Sequence, residues 1–320
     1  MTTIGQLGAG SHSRANHASA LRHIKENNPD VIRLAAVCDL NQDKALACAD
    51  QFGFEGTYTD LDQMLDEEDL DGLILITPVE LTEEFATRLL PRGLPLVIEK
   101  PPGVDTDAAR RLAEFARETG TPHMVSLNRR FNPALVKAGQ WMAESAADRP
   151  PKICIARMLR HNRTEETFRS WTGIHLVDAA LSVMGRPSTV RASNTPTQHE
   201  GVFYTRAEVE SDRGAVHYFL SSAVGVLEET YEFHGADYCV QVDAWNCALR
   251  VFDANEEVLA WEADDDKPPA WLNGTVGETQ AFIDAIDGRR EFGPSLDDAL
   301  ASMLTAEALT VDGESEIDLR

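Results

Sequence analysis

Three groups of residues in this 320-residue chain have types and spacings that could do chemistry. The first is Glu99-Lys100, at the end of the apolar run Leu94–Ile98 and followed at once by Pro101 and Pro102. A lysine is almost never fully buried unless paired, so an apolar run aimed at one marks either a solvated strand end or a site. Desolvation or a neighbouring cation would lower its pKa far enough to move protons near neutrality. The second is His175, three residues before Asp178. At that spacing the two share a helix face, so the carboxylate could orient the imidazole or contact a substrate. The plainer alternatives are a core histidine and a surface carboxylate. An imidazole needs little tuning to act as an acid or base. The third is "RMLRHNRTEETFR", with Arg157, Arg160, His161, Arg163 and Arg169. Guanidinium groups suit bidentate recognition of a carboxylate or phosphate, so an anionic sugar or uronate is one partner. Pairing with Glu165, Glu166, the acidic surface or a neighbouring subunit is the other, and the sequence leaves both open. Phe168 and Trp171 could stack on a sugar ring or sit in the core.

A fourth pattern holds ligand rather than reacting with it. Gly8-x-Gly10-x-x-Ser13 follows an apolar run and opens a helical stretch, with Ser11, His12 and Arg14 in or beside the loop. Glycines there allow a tight turn and a close backbone approach to a pyrophosphate at the helix N-terminus. Ser13 departs from the usual glycine or alanine. Asp39 closes the next apolar run, "LAAVCD". A carboxylate there accepts from adenosine ribose hydroxyls and repels a 2'-phosphate, which favours NAD over NADP. It could equally cap the helix beginning near Gln42. Arg14 could face a phosphate or simply be solvated.

These residues need elements to hold them. Strands are expected at Thr3–Leu7, Val31–Cys38, Gly72–Thr77, Leu94–Glu99 and His123–Leu127, with helices near Arg14–Glu26, Gln42–Phe52, Glu83–Leu90 and Thr106–Thr119. Asp105 or Thr106 caps the last helix, and Gly120 and Pro122 end it. Strands alternating with helices imply βαβ units and a parallel sheet. From about Pro150 the pattern becomes a series of alternating strands with turn residues between several of them, the pattern of an antiparallel sheet. One helix, Thr172–Met184, interrupts it, and helices near Gly277–Asp287 and Leu296–Leu309 follow. The expected fold is an α/β Rossmann domain (a doubly wound parallel sheet) over 1–124 and an α+β domain with a large, mostly antiparallel open-faced sheet over 125–320. Whether the C-terminal helices return to the first domain is left open. Ligands in such sheets sit at the carboxyl ends of the strands, where Lys100 falls. Alternation sends Glu99 and Lys100 to different sides, and Lys100-Pro101 is a candidate cis bond.

The bulk composition excludes several classes. The net charge of -24 argues against a nucleic-acid or anionic-membrane surface. There are six lysines against 23 arginines. No run approaches the roughly 18 to 20 apolar residues that span a bilayer. The first residues enter a strand-like run directly, leaving no room for a signal sequence, so a cytoplasmic location is expected. Five cysteines without C-x-x-C spacing read as reduced thiols rather than disulfides or a zinc site. No metal-ligand cluster shows in the sequence, and no catalytic metal is expected.

Several segments together resemble the Gfo/Idh/MocA family of nicotinamide-dependent oxidoreductases. They are the glycine loop, "LILITP" (Leu73–Pro78), "VIEKPPG" (Val97–Gly103), "VSLNRRFNPAL" (Val125–Leu135), "TGIHLVDAALSVMG" (Thr172–Gly185) and "SLDDALASMLTAEAL". The resemblance implies a small-molecule substrate bound between a Rossmann domain and an open-faced sheet. It implies that Lys100 and His175 flank the nicotinamide and the reacting hydroxyl or carbonyl as a proton-handling pair. Thr77, Pro78, Glu99 and Asn128 would lie along the cofactor. Arg129, Trp171, Thr172 and Asp178 join the arginine segment as substrate candidates. A dimer or tetramer through the sheet is also implied. Two positions depart from the pattern: Trp171 stands where an aspartate often precedes the histidine by four, and Thr82 stands where a histidine often occurs. The expected activity is an NAD-dependent dehydrogenase or reductase acting on a sugar, polyol or sugar acid. The alternatives are an enzyme that recycles its NAD within one cycle and a non-catalytic NAD-binding sensor.

Overall fold

A computed structural model describes residues 1–319. The chain divides into two units, one of Met1–Ser126, Pro269–Trp271 and Thr275–Ala299, the other of Leu127–Pro268, Leu272–Gly274 and Leu300 onward.

The apolar runs of the first unit become six parallel strands: β1 (Thr2–Leu7), β2 (Ile32–Cys38), β3 (Gly56–Tyr58), β4 (Gly72–Leu75), β5 (Leu96–Ile98) and β6 (His123–Val125). Their order is β3-β2-β1-β4-β5-β6, so the winding reverses between β1 and β4. The central strands are buried on both faces, with Leu34, Leu73, Leu75 and Ile98 inaccessible, which is why they read as continuous apolar runs rather than alternating ones. The expected helix Arg14–Glu26 is two pieces, α1 (Ser11–Ala15) and α2 (His17–Asn27), because Asn16 leaves helical geometry at φ -115° and ψ -79°. Next come α3 (Gln42–Phe52), α4 (Leu61–Glu67), α5 (Val79–Leu89) and α6 (Thr106–Thr119). Asp105 caps α6 by accepting from Ala108 N at 2.8 Å, and Gly120 ends it at φ 65°. The helix Thr275–Ile286 packs against α2.

The second unit is a nine-stranded sheet of β7 (Ile153–Leu159), β8 (Pro187–Pro196), β9 (Phe203–Ser211), β10 (Gly214–Ser221), β11 (Glu228–Gly235), β12 (Tyr238–Asp243), β13 (Ala248–Asp253), β14 (Glu256–Glu262) and β15 (Gly313–Glu316). The order is β14-β13-β12-β11-β7-β10-β9-β8-β15, antiparallel except where β7 meets β10. Alternation gives the sheet one apolar face, with Tyr218, Tyr231 and Phe233 fully buried, each contributing on the order of 1.5–3 kcal/mol. Against that face pack α7 (Pro133–Ser145) and α8 (Gly173–Met184). The opposite face leaves Ile153, Tyr204 and Phe219 exposed. Helix α7 was not foreseen, although Asn132 caps it through Ala134 N and Leu135 N and Pro133 takes its first position. Among the described residues, no helix is long and apolar enough to cross a membrane.

Candidate functional site

A cavity of about 630 Å³ lies along the carboxyl ends of β1, β2, β4 and β5, lined among others by Gly8, Gly10, His12, Asp39, Thr77 and Lys100. That size suits a cofactor. Gly8 turns the chain out of β1 at φ +101°, and a side chain there would meet the Ile76 carbonyl oxygen at 2.0 Å. Gly10 has nothing within 4 Å of where a Cβ would sit. The protein itself leaves this cradle open, which is the room a close-lying pyrophosphate needs. Ser13 replaces the third glycine because its hydroxyl has work to do: buried, it donates to Gly8 O at 2.8 Å and accepts from Gln6 Nε2 at 2.8 Å. The loop is thus braced from below. Since α1 is only five residues long, the open backbone of the loop rather than a long helix is what faces a phosphate.

Asp39 does not cap α3. That role falls to Asn41, whose Oδ1 accepts from Lys44 N at 3.0 Å. Asp39 instead accepts from Ala9 N at 2.8 Å through Oδ2 and from Asn41 N at 2.9 Å through Oδ1. This holds the carboxylate at the cavity edge with lone pairs to spare for a diol. Lys44, whose type and position in α3 carry no binding signal, lines the same end. Arg14 turns away and hydrogen-bonds Gln51 of α3 at 3.2 Å; it does not line the cavity. Thr77 and Pro78 line it, and Thr77 Oγ1 lies 3.2 Å from Thr82 Oγ1. Thr82, the second departure from the family pattern, is buried in that contact.

At the opposite end the strand exit expected from "VIEKPPG" is present, with Lys100-Pro101 cis and Lys100 on the cavity wall. Glu99 is 7 % exposed. His17 Nε2 lies 2.9 Å from its Oε2 and His12 Nε2 3.3 Å from its Oε1. Burial by itself would push the Glu99 carboxyl up; the hydrogen bonds from His12 and His17 overcome it and hold the group well below the ordinary glutamate value. His17 was not foreseen. Its position in α2 carried no signal, since its partner lies 82 residues on. One nitrogen or oxygen from each of the three comes within 4.8 Å of the others, so the fold assembles metal-capable groups of which Glu99 lies far from the other two in the sequence.

The remaining candidates belong to the second unit, and several are placed otherwise than expected. Asp178 is fully buried and bound by Arg130, Nε to Oδ2 at 2.8 Å and Nη2 to Oδ1 at 2.7 Å, while Ser302 Oγ donates to Oδ1 at 3.0 Å. Those partners, not a substrate, use its oxygens. Arg160 is 5 % exposed and Glu229 is inaccessible. Arg160 pairs with Glu229, and Arg129 Nε donates to Glu229 Oε1 at 2.7 Å. Burial would raise the Glu229 carboxyl, but the two guanidiniums keep it below its ordinary value. Arg160 also lies 4.7 Å from the Trp245 ring centroid. Arg129 and Arg160 are therefore core ion-pair members because a buried carboxylate requires them.

Arg157 pairs with Glu232 at 2.7 Å, and Arg163 pairs with Glu165. Arg163 Nη2 also reaches Thr172 Oγ1 at 3.3 Å. Arg169 stacks 4.4 Å from the Phe203 centroid and donates to Asn194. His161 is exposed, its Nδ1 3.0 Å from Val224 O. Trp171 and Thr172 are half-buried in the π-helical turn Phe168–Thr172 that leads into α8, whose first turn carries a half-buried His175. Phe168 is core. Asn128, assigned to the cofactor from the resemblance, lies in this unit with Oδ1 accepting from Arg129 at 3.4 Å.

A glycine turn, a braced carboxylate and a strand-end lysine line one cavity at the carboxyl ends of a doubly wound sheet, the place where Rossmann units bind dinucleotides. Residues 3–127 match the model of the oxidoreductase family GFO_IDH_MocA, NAD-binding Rossmann fold. The similarity extends over the whole chain. It is 26% identical over 329 residues to an inositol 2-dehydrogenase of Rhizobium meliloti (strain 1021), covering 95% of this chain and 94% of the relative. It is 24% identical to the rhizopine catabolism protein MocA of Rhizobium meliloti, covering 96% and 93%. Among solved structures, an NAD binding oxidoreductase from Klebsiella pneumoniae superimposes with a TM-score of 0.83 at 19% identity, covering 99% of each chain.

Proposed function

We propose that this chain is an NAD-dependent dehydrogenase acting on a hydroxyl of a sugar, polyol or sugar acid. The observation that carries the proposal is the single cavity into which the Gly8–Ser13 turn, Asp39 and Glu99-Lys100 all open. The residues present fit a dinucleotide: Gly10 leaves the cradle clear, Asp39 is braced to accept from a ribose, and Lys100 stands at the far end. When bound, the nicotinamide supplies acceptance of a hydride. The chain has to hold the dinucleotide and manage the hydroxyl proton. Lys100 and His175 are assigned that proton. The relatives named for inositol and rhizopine support a polyol-type substrate. Anion recognition falls to the half-exposed Arg163, which also reaches Thr172 at the head of α8, rather than to the buried Arg160 or to Arg157, which shares the open face of the sheet with Phe219. A homodimer or homotetramer through the open face of the nine-stranded sheet and a cytoplasmic location complete the proposal.

The test is reduction of NAD+ followed at 340 nm across a panel of inositols, aldoses and uronates, with NAD+ binding measured in parallel by calorimetry. Turnover on one class, abolished in Lys100→Ala with NAD+ still bound, supports the assignment. Tight NAD+ binding without turnover on any member, or full activity in Lys100→Ala, overturns it.

A further inference from the structure

We propose that His12, His17 and Glu99 form a built charge site that discriminates between the redox forms of the dinucleotide, favouring the oxidised, cationic nicotinamide over the reduced, neutral one. The inference rests on the NAD reading of the cavity and goes beyond it, to a preference set by this chain's own residues.

The geometry puts a ring nitrogen on each oxygen of the carboxylate. Asn16 Nδ2, which can only donate, lies 3.3 Å from His12 Nδ1. The ring proton of a neutral His12 therefore sits on Nε2, aimed at Glu99 Oε1 at 3.3 Å. His17, 1 % exposed, aims its Nε2 at Oε2 from 2.9 Å. A carboxylate with an N–H on each oxygen keeps its negative charge despite burial.

Position gives that charge a purpose. Asp39 follows β2 and Glu99 follows β5, and the order β2-β1-β4-β5 puts them three strands apart, roughly 14 Å across the sheet. With Asp39 at the adenosine ribose and the glycine turn at the pyrophosphate, the Glu99 end receives the nicotinamide half. A second fixed carboxylate in a cavity for an anionic pyrophosphate repels the ligand everywhere except at a positive group. The oxidised ring is the one positive group the dinucleotide carries. Lys100 on the same wall acts on both redox forms, and replacing Glu99 alone isolates the carboxylate's share.

Dissociation constants for NAD+ and NADH are measured separately by calorimetry on the wild type, Glu99→Gln and Glu99→Asp. The wild type is expected to bind NAD+ more tightly than NADH. Glu99→Gln is expected to weaken NAD+ roughly tenfold or more, the size of one charge interaction at short range, while NADH changes less than about threefold. Glu99→Asp, which keeps the charge, retains the preference. Equal weakening of both forms by Glu99→Gln would show a merely structural role and overturn the inference. So would tighter binding of NADH than NAD+ by the wild type, a measurement that stands even if Glu99→Gln does not fold. A wild type that binds neither form removes the NAD reading itself, and this inference with it.

Discussion

Replacing Asp39 by asparagine separates what this carboxylate does for the fold from what it does for the ligand. Its two oxygens accept from Ala9 N at 2.8 Å and Asn41 N at 2.9 Å. Asparagine keeps one acceptor oxygen, so one backbone N–H loses its partner, at a cost of about 1 kcal/mol and a Tm decrease of about 2–4 °C. The effect on the ligand is larger. With one lone pair of each oxygen committed to the backbone, one per oxygen remains, enough for both hydroxyls of a ribose. A hydrogen bond to a charged group contributes about 1.5–3 kcal/mol against about 0.5–1.5 for a neutral one. Loss of the charge thus costs about 1–1.5 kcal/mol per hydroxyl and about 2–3 for the pair, or roughly 30- to 150-fold in the Kd for NAD+.

The 2'-phosphorylated dinucleotide responds in the opposite direction. It loses the repulsion of the carboxylate and keeps Lys44, which lines the same end of the cavity. Relief of one like-charge contact near the surface is worth at least about 1 kcal/mol, a gain of roughly fivefold to tenfold for NADP+. The ratio of the two dissociation constants should therefore move by more than about a hundredfold. Calorimetric titration of both proteins with both dinucleotides, together with their melting temperatures, measures it. A lowered Tm with a Kd ratio unchanged within threefold would refute the reasoning: Asp39 would then be a loop brace, and the ribose would be recognised elsewhere.

Gly8→Ala forces a Cβ to 2.0 Å from the Ile76 carbonyl at φ +101° and should cost about 2–4 kcal/mol; an unfolding free energy from urea titration unchanged within about 0.5 kcal/mol would contradict the turn. Arg160→Ala leaves the inaccessible Glu229 with one guanidinium fewer and should destabilise by about 3 kcal/mol. The same change should leave the relative KM for acidic and neutral substrates alone, whereas a selective KM increase at wild-type stability would restore Arg160 as a substrate group. Glu99, with its folded pKa held below the ordinary 4.5, gives stability that is fully present above about pH 4.5 and fades as pH falls through the lower folded value. The urea-midpoint difference between wild type and Glu99→Gln should accordingly shrink on acidification below that pH, and a difference independent of pH would show that the carboxylate is not ionised.

What could be read from the sequence and what could not divide by the distance over which the determining physics acts. Gly8 and Asp39 are set by backbone and hydrogen-bond demands within one turn of chain, and their types and spacing after an apolar run were enough to locate them. Lys100 was legible because an apolar strand ended on it. Helix α7 carried equally local signals, Asn132 as cap and Pro133 at the first position, and lies in the stretch between the expected strand His123–Leu127 and the alternating strands from about Pro150, to which no element was assigned. β15 had no such signal: Gly313–Glu316 is a strand only because β8 offers an edge to pair with. The charged side chains depended on partners the sequence could not supply. Glu99 finds His17 across 82 residues, and Arg160 finds Glu229 across 69. In each case the residue type announced a charge, and only the fold decided whether that charge was available.

That distinction narrows the anion-binding segment. Of its four arginines, Arg160 is committed to the buried Glu229, and Arg169 is half-buried against Phe203 and Asn194. Arg157 and Arg163 pair instead with Glu232 and Glu165, side chains that themselves reach solvent. A surface pair of that kind is worth little, typically under about 1 kcal/mol, so an incoming carboxylate can displace it cheaply. Displacing the buried Glu229 would strand a charge in the core at several times that cost. Arg157 shares the open face of the sheet with Phe219, away from α8, so the arginine of this segment that can exchange its partner for an acidic substrate near His175 is Arg163, which also reaches Thr172.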